Sequence, residues 1–142
     1  METIELAAAL RSAISILHKR LRKQMYSLQT HSITELETMG YLYRQSTLLP
    51  SELASLTKVT TQSMSQVLNK LEEANFILRT PSQEDKRKTY ISLTKAGKKL
   101  VEQTRYERDE WLANAIAETC NKQEQELLIK ALTPLKKLVD FE

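Results

Sequence analysis

The residues with chemistry to offer lie close together. In Thr60-Thr-Gln-Ser-Met-Ser-Gln-Val-Leu-Asn-Lys-Leu71 the apolar Met64, Val67, Leu68 and Leu71 recur at i, i+3, i+4 and i+7, one face of a helix. Gln62, Ser65, Gln66 and Asn69 fall on the opposite face. They are short, uncharged and able to donate or accept hydrogen bonds, whereas a solvated face is usually rich in Lys and Glu. Gln and Asn can pair bidentately with adenine and Ser or Thr can contact several bases, so the chemistry suits base edges in a major groove. Downstream, Pro81-Ser-Gln-Glu-Asp-Lys-Arg-Lys88 is a cationic loop between the apolar Phe76-Ile-Leu78 and the alternating Thr89-Tyr-Ile-Ser-Leu93. A polar-faced helix followed by a hairpin with a basic tip reads as a winged helix-turn-helix. An ordinary surface helix beside an ordinary hairpin is the bland alternative.

No other group of residues has the spacing of a reactive centre. His18, His31 and Cys120 are scattered, so no metal site is expected. A lone cysteine forms no intrachain disulfide, and Cys120 has only Lys122 as a basic near-neighbour, so an incidental thiol is the default. A Ser-His-Asp set, a phosphate-cradling glycine loop and paired carboxylates are all lacking. The chain reads as a non-enzyme with no cofactor.

The elements that would position the polar face follow from periodicity. Leu6, Leu10, Ala13, Ile14, Leu17, Leu21, Met25 and Leu28 predict a long helix from about Ile4 to Leu28. A second helix opens near Ile33, with Thr34 as N-cap and Glu37 completing a capping box, and with Leu36, Met39, Leu42 and Tyr43 inward. Gly40 within it suggests close packing against a neighbouring backbone. Leu48 to Leu56 predicts a short helix with Pro50 in its first turn and Leu53, Ala54 and Leu56 or Thr57 inward. The turn Thr57-Lys-Val59 then leads to Thr60, a good N-cap. Two helices joined this way match the helix-turn-helix pattern, although Lys58 stands where glycine is commonest. Thr94 can cap the helix after the hairpin, whose stripe is Leu100, Val101, Thr104, Arg108, Trp111, Leu112, Ala115 and Ile116. Asn121 and Glu124 form a capping box for a last helix with Leu127, Leu128, Ala131, Leu132, Leu135 and Leu138. Pro134 should kink or end it near Thr133.

Composition agrees with this outline. With 142 residues, 41% of them hydrophobic, two glycines and three prolines, the chain suits one mostly helical core. No apolar run is long enough to cross a bilayer and no secretion signal opens the chain, so a cytoplasmic protein is expected. The net charge of +3 is unevenly spread: residues 58–99 carry +5, residues 1–57 +1 and residues 100–142 −3. Positive charge thus accumulates where nucleic acid would bind, although a charge run is also compatible with a solvated face. The expected architecture is mainly α with a small β-hairpin wing. Residues 32–99 form a winged helix-turn-helix DNA-binding domain, and residues 1–31 and 100–142 supply long dimerisation helices. Those terminal helices are more apolar than the central domain can cover, and pairing across a two-fold axis would bury the excess.

Asp85-Lys-Arg87 followed by Ile91-Ser-Leu-Thr94 and Gly97 resembles the wing signature of MarR-type transcriptional regulators. Glu52-Leu-Ala54, Val59-Thr60 and Leu71-Glu72 fall where that family carries E-L-A, V-S and L-E. The resemblance spans essentially the whole chain. It implies a homodimer joined by its terminal helices, which binds pseudo-palindromic double-stranded DNA and represses transcription until a ligand or oxidant acts. It further implies that Thr60, Thr61, Gln62, Ser63, Ser65, Gln66 and Asn69 meet the major groove. Arg87 would enter the minor groove, with Asp85 steadying the loop and Lys86 and Lys88 beside it. Many relatives have Arg at the positions of Thr61 and Gln66, so fewer charge-assisted contacts are expected, and Gln66 hints at an A·T-containing step. Tyr26, Tyr41, Tyr43 and Trp111 could line a pocket for a small aromatic effector, or be ordinary core and surface aromatics. A winged-helix protein–protein interaction module and a transcriptional activator of the same fold remain the alternative readings.

Overall fold

The computed structural model describes residues 1–25 and 29–142. The chain runs α1 (Thr3–Lys23), α2 (Ile33–Gln45), β1 (Thr47–Leu48), α3 (Pro50–Thr57), α4 (Thr61–Glu73), β2 (Ile77–Pro81), β3 (Thr89–Leu93), α5 (Lys95–Thr119) and α6 (Lys122–Val139). It is mainly helical with a small antiparallel sheet in the order β1-β3-β2. Two compact units are present: residues Met25–Glu107, and residues Met1–Gln24 together with Arg108–Glu142.

The Met25–Glu107 unit is built on apolar side chains from every element it contains. Met39, Leu42, Leu53, Met64, Leu68, Leu71, Ile77 and Ile91 are all but sealed from solvent. α2 and α4 contribute their periodic stripes, and α3 contributes Leu53 and Ala54. Leu56 is exposed while Thr57 is half-buried, its hydroxyl donating to the Leu53 carbonyl at 2.7 Å. In the hairpin Ile77 faces Leu93 and Arg79 faces Ile91, and the pairing runs out to Pro81 and Thr89. Leu48, expected at the start of a helix, instead lies in β1 opposite Ile91. Leu49 follows the strand as the N-cap residue of α3, and Pro50 opens that helix at a position where its missing N–H costs nothing.

Three boundaries differ from their sequence-based positions, each for a local reason. α1 ends at Lys23, where Arg20, Arg22 and Lys23 complement the negative end of the helix dipole. Met25 is non-helical and joins the core of the other unit, while Tyr26 and Leu28 lie outside the described residues. α2 is capped by Ser32 rather than Thr34, because the S/T-x-x-E spacing occurs twice in Ser32-Ile-Thr-Glu-Leu-Glu37. In the register adopted, Ser32 Oγ accepts from the Glu35 amide at 3.1 Å and Glu35 accepts from the Ser32 amide. That choice also lets the Thr38 hydroxyl, fully buried, donate to the Thr34 carbonyl at 2.7 Å. α6 continues through Pro134 to Val139. The ring removes one amide donor, yet Leu135 and Leu138 stay in register with the stripe begun at Leu128 and Leu132.

The glycine expectation is reversed. A side chain at Gly40 would meet nothing within 4 Å, whereas one at Gly97 would collide with the Phe76 carbonyl.

In the other unit neither α1 nor α6 buries a single residue. Ile14, Leu17, Leu127, Leu128, Leu132 and Leu138 are exposed in the isolated chain. Arg20 lies over the Trp111 ring, 5.1 Å from its centroid. The Asn121–Glu124 capping box forms as expected, with bonds of 2.8 and 3.0 Å.

Candidate nucleic-acid interface

α4 is the second helix of a helix-turn-helix, and the turn before it is made by the chain itself. The Val59 amide reaches back to the Ala54 carbonyl at 3.0 Å, and Lys58 takes the left-handed conformation at φ 59°. This is the hydrogen-bond pattern that closes a helix end, with lysine at the position glycine usually fills. Thr60 then caps α4. Its Oγ1 accepts from the Ser63 amide at 3.0 Å and its hydroxyl lies 2.9 Å from Ser63 Oγ.

The buried side of α4 is Met64, Leu68 and Leu71. Thr60, Thr61, Gln62, Ser63, Ser65, Gln66 and Asn69 are all exposed, so the seven sequence-identified positions share an uncharged outward surface. The first turn contains no acidic residue. The positive end of the helix dipole is therefore not neutralised, and its leading amides have no intrahelical acceptors. Such an end suits a phosphate.

The hairpin tip is held by its own hydrogen bonds. The Ser82 amide donates to the Lys88 carbonyl and the Lys88 amide to the Asp85 carbonyl, both at 2.9 Å. Ser82 Oγ accepts from the Glu84 and Asp85 amides, each at 3.3 Å. Asp85 Oδ1 in turn accepts from the Arg87 amide at 3.1 Å and from Arg87 Nε at 3.3 Å. The rest of the Arg87 side chain projects from the tip and is 92% exposed. Lys86 and Lys88 are exposed beside it, and Asp85 is half-buried. A carboxylate that holds Nε leaves the terminal guanidinium nitrogens, the pair suited to bidentate recognition, directed outward.

Arg79 is a residue that periodicity alone did not single out. It lies on β2, and its guanidinium Nη2 donates to Asn69 Oδ1 at 2.8 Å while Nε lies 3.5 Å from Glu72 Oε1. The hairpin is thereby tied to the outer part of α4. A signal was present in the sequence: at period two, Arg79 falls on the same side of the strand as the buried Ile77.

The aromatic candidates have partners of their own. Tyr41 donates to the Leu56 carbonyl at 3.4 Å and has Arg44 over its ring. Tyr43 donates to Glu102 at 3.1 Å and has Arg105 4.3 Å from its ring centroid. Tyr26 lies outside the described residues. His31 is half-buried, with Nδ1 3.4 Å from Glu35 and its ring edge-on to Phe76, and His18 is exposed. Among the described residues no group of three or more His, Cys, Asp or Glu could hold a metal ion. No described helix is long and apolar enough to cross a membrane.

Comparison with known proteins adds to this picture. A family model described as MarR family matches residues 31–89. An HTH-type transcriptional regulator of Mycobacterium tuberculosis is 32% identical over 135 residues, 95% of this chain and 93% of the relative. A solved structure from Pseudomonas aeruginosa is 30% identical with a TM-score of 0.79, covering 98% of this chain and 97% of that one. MepR, a transcription regulator of the Staphylococcus aureus multidrug efflux pump MepA, is 25% identical with a TM-score of 0.71, covering 94% of this chain and 98% of its own.

Proposed function

The chain belongs to the MarR family of transcriptional regulators, not to a family of enzymes, and from that premise we propose that it is a cytoplasmic repressor binding a pseudo-palindromic operator as a homodimer. The observation that carries the reading is the exposed uncharged face of α4 in the same compact unit as a self-braced hairpin tipped by Arg87. In this reading residues 32–99 engage DNA. Thr60, Thr61, Gln62, Ser63, Ser65, Gln66 and Asn69 meet the major groove, and Arg87, flanked by Lys86 and Lys88, enters the minor groove, where narrow width concentrates negative potential. Residues 1–31 and 100–142 join two copies. The unburied apolar stripes of α1 and α6 supply the surface for that pairing, with Ile129 at 67% and Leu132 at 54% exposure in the single chain. A small aromatic effector that binds one spacing of the two reading helices better than the other would release the operator by shifting the population between them.

A gel shift with the DNA upstream of the protein's own gene, repeated across salt concentrations, tests this reading. With three or four phosphates engaged per subunit, log K is expected to fall against log salt with a slope of roughly −5 to −7. Sedimentation at micromolar concentration should report a dimer. A monomer would contradict the pairing of α1 and α6, and a near-zero slope would point to protein as the partner of α4. Calorimetry or melting with phenolic acids and drugs tests for an effector; MepR's description as the regulator of a multidrug efflux pump motivates the drugs.

A further inference from the structure

The contact between Arg79 and Asn69 decides what Asn69 is able to read. A guanidinium carries only hydrogen-bond donors. The amide atom 2.8 Å from Arg79 Nη2 must therefore be the carbonyl oxygen. For most surface asparagines the oxygen and nitrogen ends are interchangeable in a structure; here the partner's chemistry removes the ambiguity. The amino group, on the other arm of the same planar amide, is turned away from Arg79. Asn69 is exposed, so that amino group is offered to solvent or to a ligand.

Arg79 is committed to this arrangement. Its Nε is buried and makes no hydrogen bond among the described residues, although the Glu72 carboxylate lies 3.5 Å away. The guanidinium is thus held between two residues of α4, with Asn69 supplying a short bond of 2.8 Å. Rotating the Asn69 amide would set its N–H groups against those of Arg79 and forfeit a charge-assisted bond.

We propose that Arg79 is a positioning residue that makes Asn69 a donor-only contact, selecting a hydrogen-bond acceptor on DNA. The acceptor is either a phosphate oxygen or a base acceptor in the major groove: N7 of either purine, guanine O6 or thymine O4. The two-sided pairing with adenine, which needs the amide oxygen and nitrogen presented together, is withheld while Arg79 draws the oxygen towards the hairpin. The inference rests on the reading that α4 enters the major groove.

Selection of binding sites from a randomised duplex library, followed by titration of the selected duplexes, tests it with the full-length protein. Asn69→Asp is the informative variant, because an aspartate keeps an oxygen towards Arg79 and so keeps the tie to the hairpin. Its outward atom, however, changes from donor to acceptor. If the natural contact is to a base, the variant is expected to lose guanine and thymine at one position of each half-site in favour of cytosine or adenine, whose amino groups donate. If it is to a phosphate, affinity should drop about tenfold for all sequences alike. Asn69→Ala, which adds no charge, should lose the same contact in either case. Arg79→Ala frees the amide and is expected to raise adenine over guanine, through N6 and N7 together, at the position that Asn69→Ala makes indifferent, a change that a purely structural strut would not produce.

Asn69→Asp binding as tightly as the parent with an unchanged base profile would overturn the proposal and leave Asn69 as a strut only. A parent protein that selects no sequence, and binds no duplex at low salt, would instead overturn the placement of α4 in the groove.

Discussion

Replacing Arg87 with alanine is expected to lower operator affinity by about a hundredfold or more while leaving the dimer intact. The side chain is almost wholly exposed and its polar contacts among the described residues are to Asp85, so its removal disturbs no core packing. Hydrogen bonds to charged groups contribute roughly 1.5–3 kcal/mol each, and a two-fold dimer loses the contact twice. Together these amount to at least about 3 kcal/mol, or a factor of about a hundred. Fluorescence anisotropy at fixed salt measures the loss, and the salt slope should become shallower as two cations leave the minor grooves. Arg87→Lys should recover only part of the affinity, because it keeps the charge but not the planar fork that Asp85 orients. Unchanged affinity in Arg87→Ala would remove the hairpin tip from the interface.

The second large effect is on stability, and it sets two identical substitutions against each other. Gly97 is the third residue of α5, and its amide donates to Thr94 Oγ1 at 3.0 Å. A Cβ there would strike the Phe76 carbonyl oxygen and lie 3.0 Å from Leu93 Cδ2. The carbonyl is in no position to yield, because it accepts from the Thr94 amide at 3.0 Å. Overpacking of this kind costs about 1–3 kcal/mol, and the involvement of backbone puts Gly97→Ala at the upper end. Gly40→Ala meets nothing and should stabilise α2 by about 1 kcal/mol through helix propensity alone. Urea denaturation of the two variants should place their midpoints on opposite sides of the parent's. A harmless Gly97→Ala would mean that α5 can move off the hairpin base at little cost.

What the sequence made legible was what depends on neighbours along the chain. The polar face of α4, its Thr60 cap, Pro50 at the start of α3 and the Asn121–Glu124 box are all written within a turn or two of helix. The basic hairpin tip is equally local. β1 was not legible, because two residues have no period and its identity comes only from pairing Thr47 with Ser92 and Leu48 with Ile91. The choice between Ser32 and Thr34 as cap was likewise invisible: both spacings satisfy the motif, and the structure uses the one that caps through Glu35 while burying Leu36, Met39 and Leu42. Spacing alone did not reveal that Met25 belongs to another core than the helix before it. The Arg79–Asn69 bond required knowing that β2 folds back along α4. It therefore altered the chemistry assigned to a residue whose place on the helix wheel was correct.

Phe76 is a single residue whose backbone ties the end of α4 to the start of α5. Its amide donates to the Leu71 carbonyl at the end of α4, and its carbonyl accepts from Thr94 and rests against Gly97. The root of the hairpin is anchored there, whereas the described bonds of the tip lie among residues 82–88. The tip is consequently an interchangeable cartridge. Under the proposed reading, loops of other lengths and charges are expected to splice in beyond Pro81 without retuning α4, so that groove preference at the flank and base preference at the centre would evolve on separate clocks.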